Sequence, residues 1–470
     1  MANENVTPDS SRTPTVLCFD VEDLIAPESD DAALWLAEIL SEYELTGSFM
    51  VVGEKARLWE KRGRRDVIEA LKRHHLSFHS TWHSVHPTTT EICLDKDFAE
   101  GMDALWDWDR AGWEDTQRIL GRPLHGWART GSSWSPSVMG LMGRMGRAYA
   151  YSVVRLPGHN VCWYAGCLGF YGEGLGGFDE TFCNDSLFLP KLERVKHEVD
   201  AFRAADRRGA SWLCFFMCHP TRVISTMFWD AVNFAKGANP PREVWKPAPC
   251  YDPALVSTMQ ANYRRLCDYL RGDERLEIVG WGELIQRYDG QRAFATHQEL
   301  VQIARRIADE RKVVFTDYFT AAEILIMLLR AASGPQERYA RPAVYGPRDM
   351  PPAVPLNDVP ATLVTSAARQ ALEAARSGYL PAAVTVGEQS VGIGTYFVAL
   401  AEAIAGRSRV SGPANVPYPA VADEIAAHAA KSISGWVIHP EKMDLTRLLE
   451  QTRLQCWTLK PAWPRESLAE

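Results

Sequence analysis

The 470-residue chain carries 46% apolar, 23% charged and 10% aromatic residues and a net charge of −8. That length suits two or three domains, and the apolar share supplies ample core. The lack of a basic excess argues against nucleic acid or an anionic membrane as main partner, and no apolar run reaches the 18 residues of a membrane span.

The polar, acidic start MANENVTPDSSRTPTV does not read as a secretory signal, so a cytoplasmic location is expected. Ten cysteines without CxxC pairs fit reduced thiols. Strands are predicted at 15–20, 47–53, 76–79, 123–129, 148–155, 210–219 and from 276, with helices at 30–43, 64–75 and 253–270. Such alternation implies βα units around a parallel sheet or barrel. Asp20, His79, Arg129 and His219 each follow a strand-like run, and in βα barrels that end of the strands carries the active site. The aromatic, proline-rich stretch 220–252 is longer than a connector requires and reads equally as a lid, a binding loop or an outer insertion.

From 291 to 333 the pattern is a helical extension. A proline-rich linker or arm is expected over 334–360, and a mainly helical accessory domain over 361–470. DYFTAAEILIMLLRAA and TYFVALAEAIAG are loosely alike, as a degenerate repeat would be.

The stretch FHSTWHSVHP (78–87) concentrates three of the chain's 12 histidines. His79 and His83 are four apart, and the serines, threonine and Pro87 around them favour a loop over a helix. A loop can still bring both imidazoles to one ion. LCFDVEDL supplies acids at the end of an apolar strand, where they repel one another unless a cation compensates. Helix capping by Asp20 or Asp23 is the competing structural account. Two histidines and a carboxylate form a familiar set for zinc or a similar divalent ion, and a second carboxylate could act as general base.

The ordered segments FDVED, TGSFMVVGEKA, HSTWHSVHP, RTGSSWSP and FFMCHP resemble the NodB-homology polysaccharide deacetylases (carbohydrate esterase family 4) over residues 15 to about 290. The resemblance implies a distorted (β/α) barrel over 1–290 and metal-dependent hydrolysis of an acetamido group. It implies that His79 and His83 bind the ion with one acid of the first motif, that Asp20 is the base, that Arg129 orients that base, and that His219 is the acid. The first motif departs from the family's Asp-Asp-Gly, which makes Glu22 the preferred ligand and Asp23 the alternative. Arg129-Thr130-Gly131 keeps only the arginine of the third motif. Asp179, Asn184 and Asp185 match a fourth motif poorly and read rather as turn and cap residues.

Among 16 tryptophans, Trp82, Trp127 and Trp134 lie in or beside the motifs, where aromatic faces could meet a sugar or acyl group, Trp82 and Trp134 foremost. His74, His75 and His86 read as solvated or structural rather than as ligands. The function expected is metal-dependent hydrolysis of a linear amide, as an N-deacetylase of an N-acetylated sugar or amine, with zinc the first choice of ion. Alternatives are a superfamily relative that opens a cyclic amide or ureide, in the manner of an allantoinase, or a non-catalytic carbohydrate-binding module. The partner expected is a small-molecule or carbohydrate substrate, and homo-oligomerisation stays open.

Overall fold

The structure, a computed structural model, describes residues 12–175, 177–204 and 214–468. An eleven-stranded sheet forms its centre. Strands β1 (Thr13–Val21), β2 (Gly47–Val51), β3 (His75–Phe78), β4 (Gly126–Ala128) and β5 (Ala148–Ala150) pair in succession, all parallel. The hairpin of β6 (Val161–Tyr164) and β7 (Cys167–Phe170) continues the sheet, with β7 parallel to β5. On the other side, β9 (Cys214–Cys218) and β10 (Leu276–Ile278) both pair with β1, and β8 (Glu173–Gly174) pairs with β9. The first residues of the predicted strand at 210–219 lie outside the described residues.

Alternation along β1 accounts for the curl. Leu17, Phe19 and Val21 pack outwards among Leu36 and Leu40 of helix Glu28–Glu42 and Leu71 of helix Arg65–Leu71. Val16 and Cys18 face inwards, into a smaller cluster with Met50, Ala128, Ala148 and Ala150. Both faces are buried, so these parallel strands read as continuous apolar runs. Small inner residues let the strands wrap around one another. The result is an open α/β half-barrel.

Helix Phe98–Leu120 is absent from the sequence expectations. Asp97 caps its first turn with Glu100, and Met102, Leu105, Trp113, Ile119 and Leu120 make its buried stripe.

The C-terminal third divides between two cores. Helices His297–Glu310, Ala321–Ser333 and Ile393–Ile404 share a core of their own, which places the two alike segments side by side. The arm expected over 334–360 is tied down at both ends. Arg338–Ala340 pairs with Phe294–Thr296, and Leu356–Pro360 pairs with Arg409–Gly412. Helix Ala422–Ile433 belongs elsewhere. Its buried positions Ala422, Ile425, Ala426, Ala429 and Ile433 recur at helical spacing. Ala422, Ile425, Ala429 and Ile433, with Leu448 and Leu459, enter the barrel's main core. Lys460–Pro461 then adds an antiparallel strand beside β6.

Candidate active site

The inward series along β1 continues past Val16 and Cys18 to Asp20 and Glu22, because side chains alternate along a strand. Both carboxylates therefore reach a cavity of about 340 Å³ at the carboxyl ends of the strands. His79 and His83 after β3, Arg129 after β4, Tyr151 after β5 and His219 after β9 line the same cavity.

The loop that carries the two histidines is held on every side. His79 N–H donates to the Val51 carbonyl at 3.0 Å, and Gly53 N–H and Glu54 N–H donate to the carbonyls of Ser80 and Thr81, each at 2.9 Å. Thr81 N–H donates to Asp109 of helix Phe98–Leu120 at 2.6 Å. A Cβ on Gly112, in the same helix, would lie 2.1 Å from Thr81 Oγ1, so only glycine allows this approach. Ser80 and His83 adopt φ of 55° and 56°, an uncommon left-handed turn that brings His83 back beside His79. The two rings end 5.1 Å apart.

His83 Nε2 meets Glu22 Oε2 at 2.7 Å, while its Nδ1 meets Ser84 Oγ at 2.6 Å. Ser84 in turn donates to Asp230 at 2.7 Å, and Trp436 Nε1 donates to the same carboxylate oxygen at 2.9 Å. Asp20 Oδ2 stands 3.8 Å from His79 Nε2 and 3.6 Å from His219 Nε2, and Tyr151 O–H donates to Asp20 Oδ1 at 3.3 Å. His219 Nδ1 is 3.1 Å from Asp179 Oδ2, and its backbone N–H donates to Asp179 Oδ1 at 2.7 Å.

These contacts set the charges. Burial lifts the Asp20 carboxyl to about 7; Glu22 adds to the rise while His219 opposes it. Burial also opposes charge on Glu22, yet His83 outweighs it and holds that carboxyl below its ordinary value. Burial, with His83 and His219 nearby, pushes His79 well below the usual imidazole range, which leaves it neutral. For His219 burial is outweighed by Asp179, with Glu22 and Asp20 adding, and the imidazolium persists to about 10.

Glu22, His79 and His83 can each present a ligand atom within 4.8 Å of the others, and all three are buried. Glu22 Oε1 is buried and has no hydrogen-bond partner among the described residues. A buried carboxylate oxygen left unsatisfied is costly, and a cation beside it removes that cost. Glu22, His79 and His83 would hold a divalent ion together, with one carboxylate and two imidazoles as its donors. The residues fit a metal.

Other expected residues lie elsewhere. Asp23 is no ligand here: Oδ1 accepts from the Ile25 and Ala26 N–H groups at 2.7 and 3.0 Å, and Oδ2 accepts from Thr221 Oγ1 at 2.9 Å. It caps the turn after β1. Arg129 reaches the cavity, but its Nη1 donates to Ser432 Oγ, and it forms no ion pair with Asp20 among the described residues. Tyr151 is the group that holds Asp20. Trp134 is fully buried near Tyr164, with ring centres 6.3 Å apart, and cannot touch a ligand. Trp82 packs beside Leu24, Val52 and Leu58, under Arg242. The aromatic lining comes instead from Phe228, Trp436, Tyr151 and Tyr171.

Asp179, read in sequence as a turn residue, is the partner of His219. Phe228 and Asp230 come from the 220–252 stretch, for which a lid or binding loop is one of the sequence readings, whereas His428 and Ser432 of helix Ala422–Ile433 and Trp436 just after it carried no sequence signal of a site.

No family model matches the chain, and no curated protein matches its sequence. Among solved structures, one described as a polysaccharide deacetylase from Mycobacterium smegmatis is 13% identical, with a TM-score of 0.38, over 59% of this chain and 90% of its own. An allantoinase is 10% identical, with a TM-score of 0.37, over 59% and 90%. A CE4 family pseudoenzyme from Bacillus anthracis is 12% identical, with a TM-score of 0.27, over 44% and 55%. Likeness of this degree is confined to a loosely shared arrangement of strands and helices, and no activity follows from it.

Proposed function

We propose that the protein is a divalent-metal hydrolase of a linear amide C–N bond, an N-deacetylase of a small N-acetylated sugar or amine. The observation that carries this reading is the convergence of Asp20, Glu22, His79, His83 and His219 on one cavity. Glu22, His79 and His83 would hold the ion, zinc first by ligand type. When bound there, a divalent ion supplies polarisation of the amide carbonyl and acidification of water. Asp20 takes the proton of the attacking water. His219, held by Asp179, gives its proton to the leaving amine nitrogen as the C–N bond breaks. One water is consumed, and an acid and an amine are released.

The test is metal content and amine release together. Protein supplied with zinc is expected to bind about one ion per chain and to release free amine from N-acetylated amines, and chelation should abolish both. A chain that binds no divalent ion would sink this reading.

The same residues set an expected pH profile. Activity should rise as Asp20 ionises and fall as His219 loses its proton, groups that titrate at about 7 and about 10 in the metal-free protein and that a cation at Glu22 moves down. Asp179→Asn removes the anion that raises His219, so the alkaline limb should move down by roughly 1–3 pH units while the acid limb stays. An unmoved alkaline limb would remove His219 from the acid role.

A further inference from the structure

Arg129, in the cavity wall, feels the charge of Asp20 but has no carboxylate within ion-pair distance among the described residues. Around the same loops, Arg62, Arg222 and Arg242 each pair with a carboxylate, at 2.6, 3.0 and 2.7 Å. Arg129 has the Ser432 hydroxyl for its Nη1 instead. A partly buried guanidinium with no carboxylate in direct contact gains from an anion that joins it. Its planar fork of donors matches a carboxylate with two parallel hydrogen bonds.

The surroundings suit such a guest. Ser432 and His428 stand four apart on helix Ala422–Ile433, hence on one face, and both line the cavity. His428 Nδ1 donates to the Val153 carbonyl at 2.8 Å, which fixes the ring in the cavity wall. Tyr171 lies against that ring, with centres 5.5 Å apart. Phe228 and Trp436 form an apolar wall edge to face, 5.0 Å apart, and Phe228 also abuts His219 at 5.0 Å. The cavity thus has a reactive side at Glu22, His79 and His83, an aromatic wall and a cationic corner. Its volume of about 340 Å³ lies in the range of small-molecule pockets.

We propose that Arg129, with Ser432, forms a subsite for a carboxylate carried by the substrate, so that the amide cleaved belongs to a small N-acylated amino acid or similar acidic amide. This rests on the amide-hydrolase reading above and narrows it. Arg129 is then a specificity residue, and helix Ala422–Ile433 is part of the substrate site.

The experiment uses the full chain and matched probes: N-acetyl amino acids and their uncharged carboxamides, each assayed for turnover with zinc and for binding by calorimetry with and without it. The metal-free arm keeps a carboxylate–zinc contact from imitating the arginine. The wild type should favour the carboxylate in kcat/KM by about 10- to 100-fold, the worth of a charge-assisted pair. Arg129→Met should bring that ratio near one by raising KM for the carboxylate alone, and Arg129→Lys should restore part of it. A ratio unchanged in Arg129→Met, or kcat lowered equally for both probes, would overturn the subsite. Arg129-dependent binding of carboxylates without turnover would uphold the subsite and sink the hydrolase reading. Absence of any carboxylate binding to metal-free protein would overturn the subsite whatever the turnover.

Discussion

Asp20→Asn is expected to lower turnover by about 10²–10⁴-fold, the usual worth of a general base, while metal content stays at the wild-type level. The substitution keeps the shape and the Tyr151 hydrogen bond but removes the proton acceptor. Asp20 is separated from the candidate ligands in the right way for this. Its Oδ2 stands 3.8 Å from His79 Nε2, whereas Glu22 meets His83 at 2.7 Å. Its carboxyl, lifted by burial to about 7, is also a stronger base than an exposed aspartate. Glu22→Gln should behave oppositely, with metal occupancy down and activity partly regained when metal is added. Metal stoichiometry and turnover measured on both variants decide the matter. Loss of metal in Asp20→Asn with a metal-replete, active Glu22→Gln would exchange the two roles.

A chain ended at Ser333 is expected to be insoluble or to lose its cooperative thermal transition. The cut removes Ile425, Ile433, Leu448 and Leu459 from the barrel's main core. At about 1.5–3 kcal/mol for each large aliphatic side chain, that forfeits about 6–12 kcal/mol, comparable with the whole stability of a typical domain. It also uncovers the edge of β6, which Lys460–Pro461 pairs, and strands Tyr164, whose hydroxyl donates to the Thr452 carbonyl at 2.8 Å. Solubility, circular dichroism and a melting curve give the answer. A soluble residue 1–333 fragment that melts cooperatively and binds metal would show that the helical third is dispensable to the barrel.

Much of the arrangement was legible because it is written locally. The strands 15–20, 47–53 and 76–79 are apolar runs that end in polar or glycine positions, and they appear as β1, β2 and β3 with ends shifted by at most two residues. Helices expected at 30–43 and 253–270 lie at Glu28–Glu42 and Val256–Gly272. Helix Phe98–Leu120 has an evident cap and stripe and could have been found by the same reading. The tryptophans misled for a physical reason. An indole is as good a core filler as a sugar platform, and neighbourhood in sequence to a motif does not say to which side of the chain the ring turns.

By itself the sequence determined which side chains could do chemistry and on which strand ends they fall. Alternation with period two places Asp20 and Glu22 on the same face as Val16 and Cys18, and no tertiary information is needed for that. Tertiary structure decided how those groups divide the work. Asp23 was drawn into a turn cap by Thr221, nearly 200 positions away, and Asp179 was brought to His219 across 40 positions. Arg129 was turned to Ser432, 303 positions away, because helix Ala422–Ile433 buries its apolar stripe in the barrel core and so delivers its polar residues to the cavity. Strand periodicity is a property of neighbouring residues, whereas the partner of a buried charge is set by whichever distant element packs beside it.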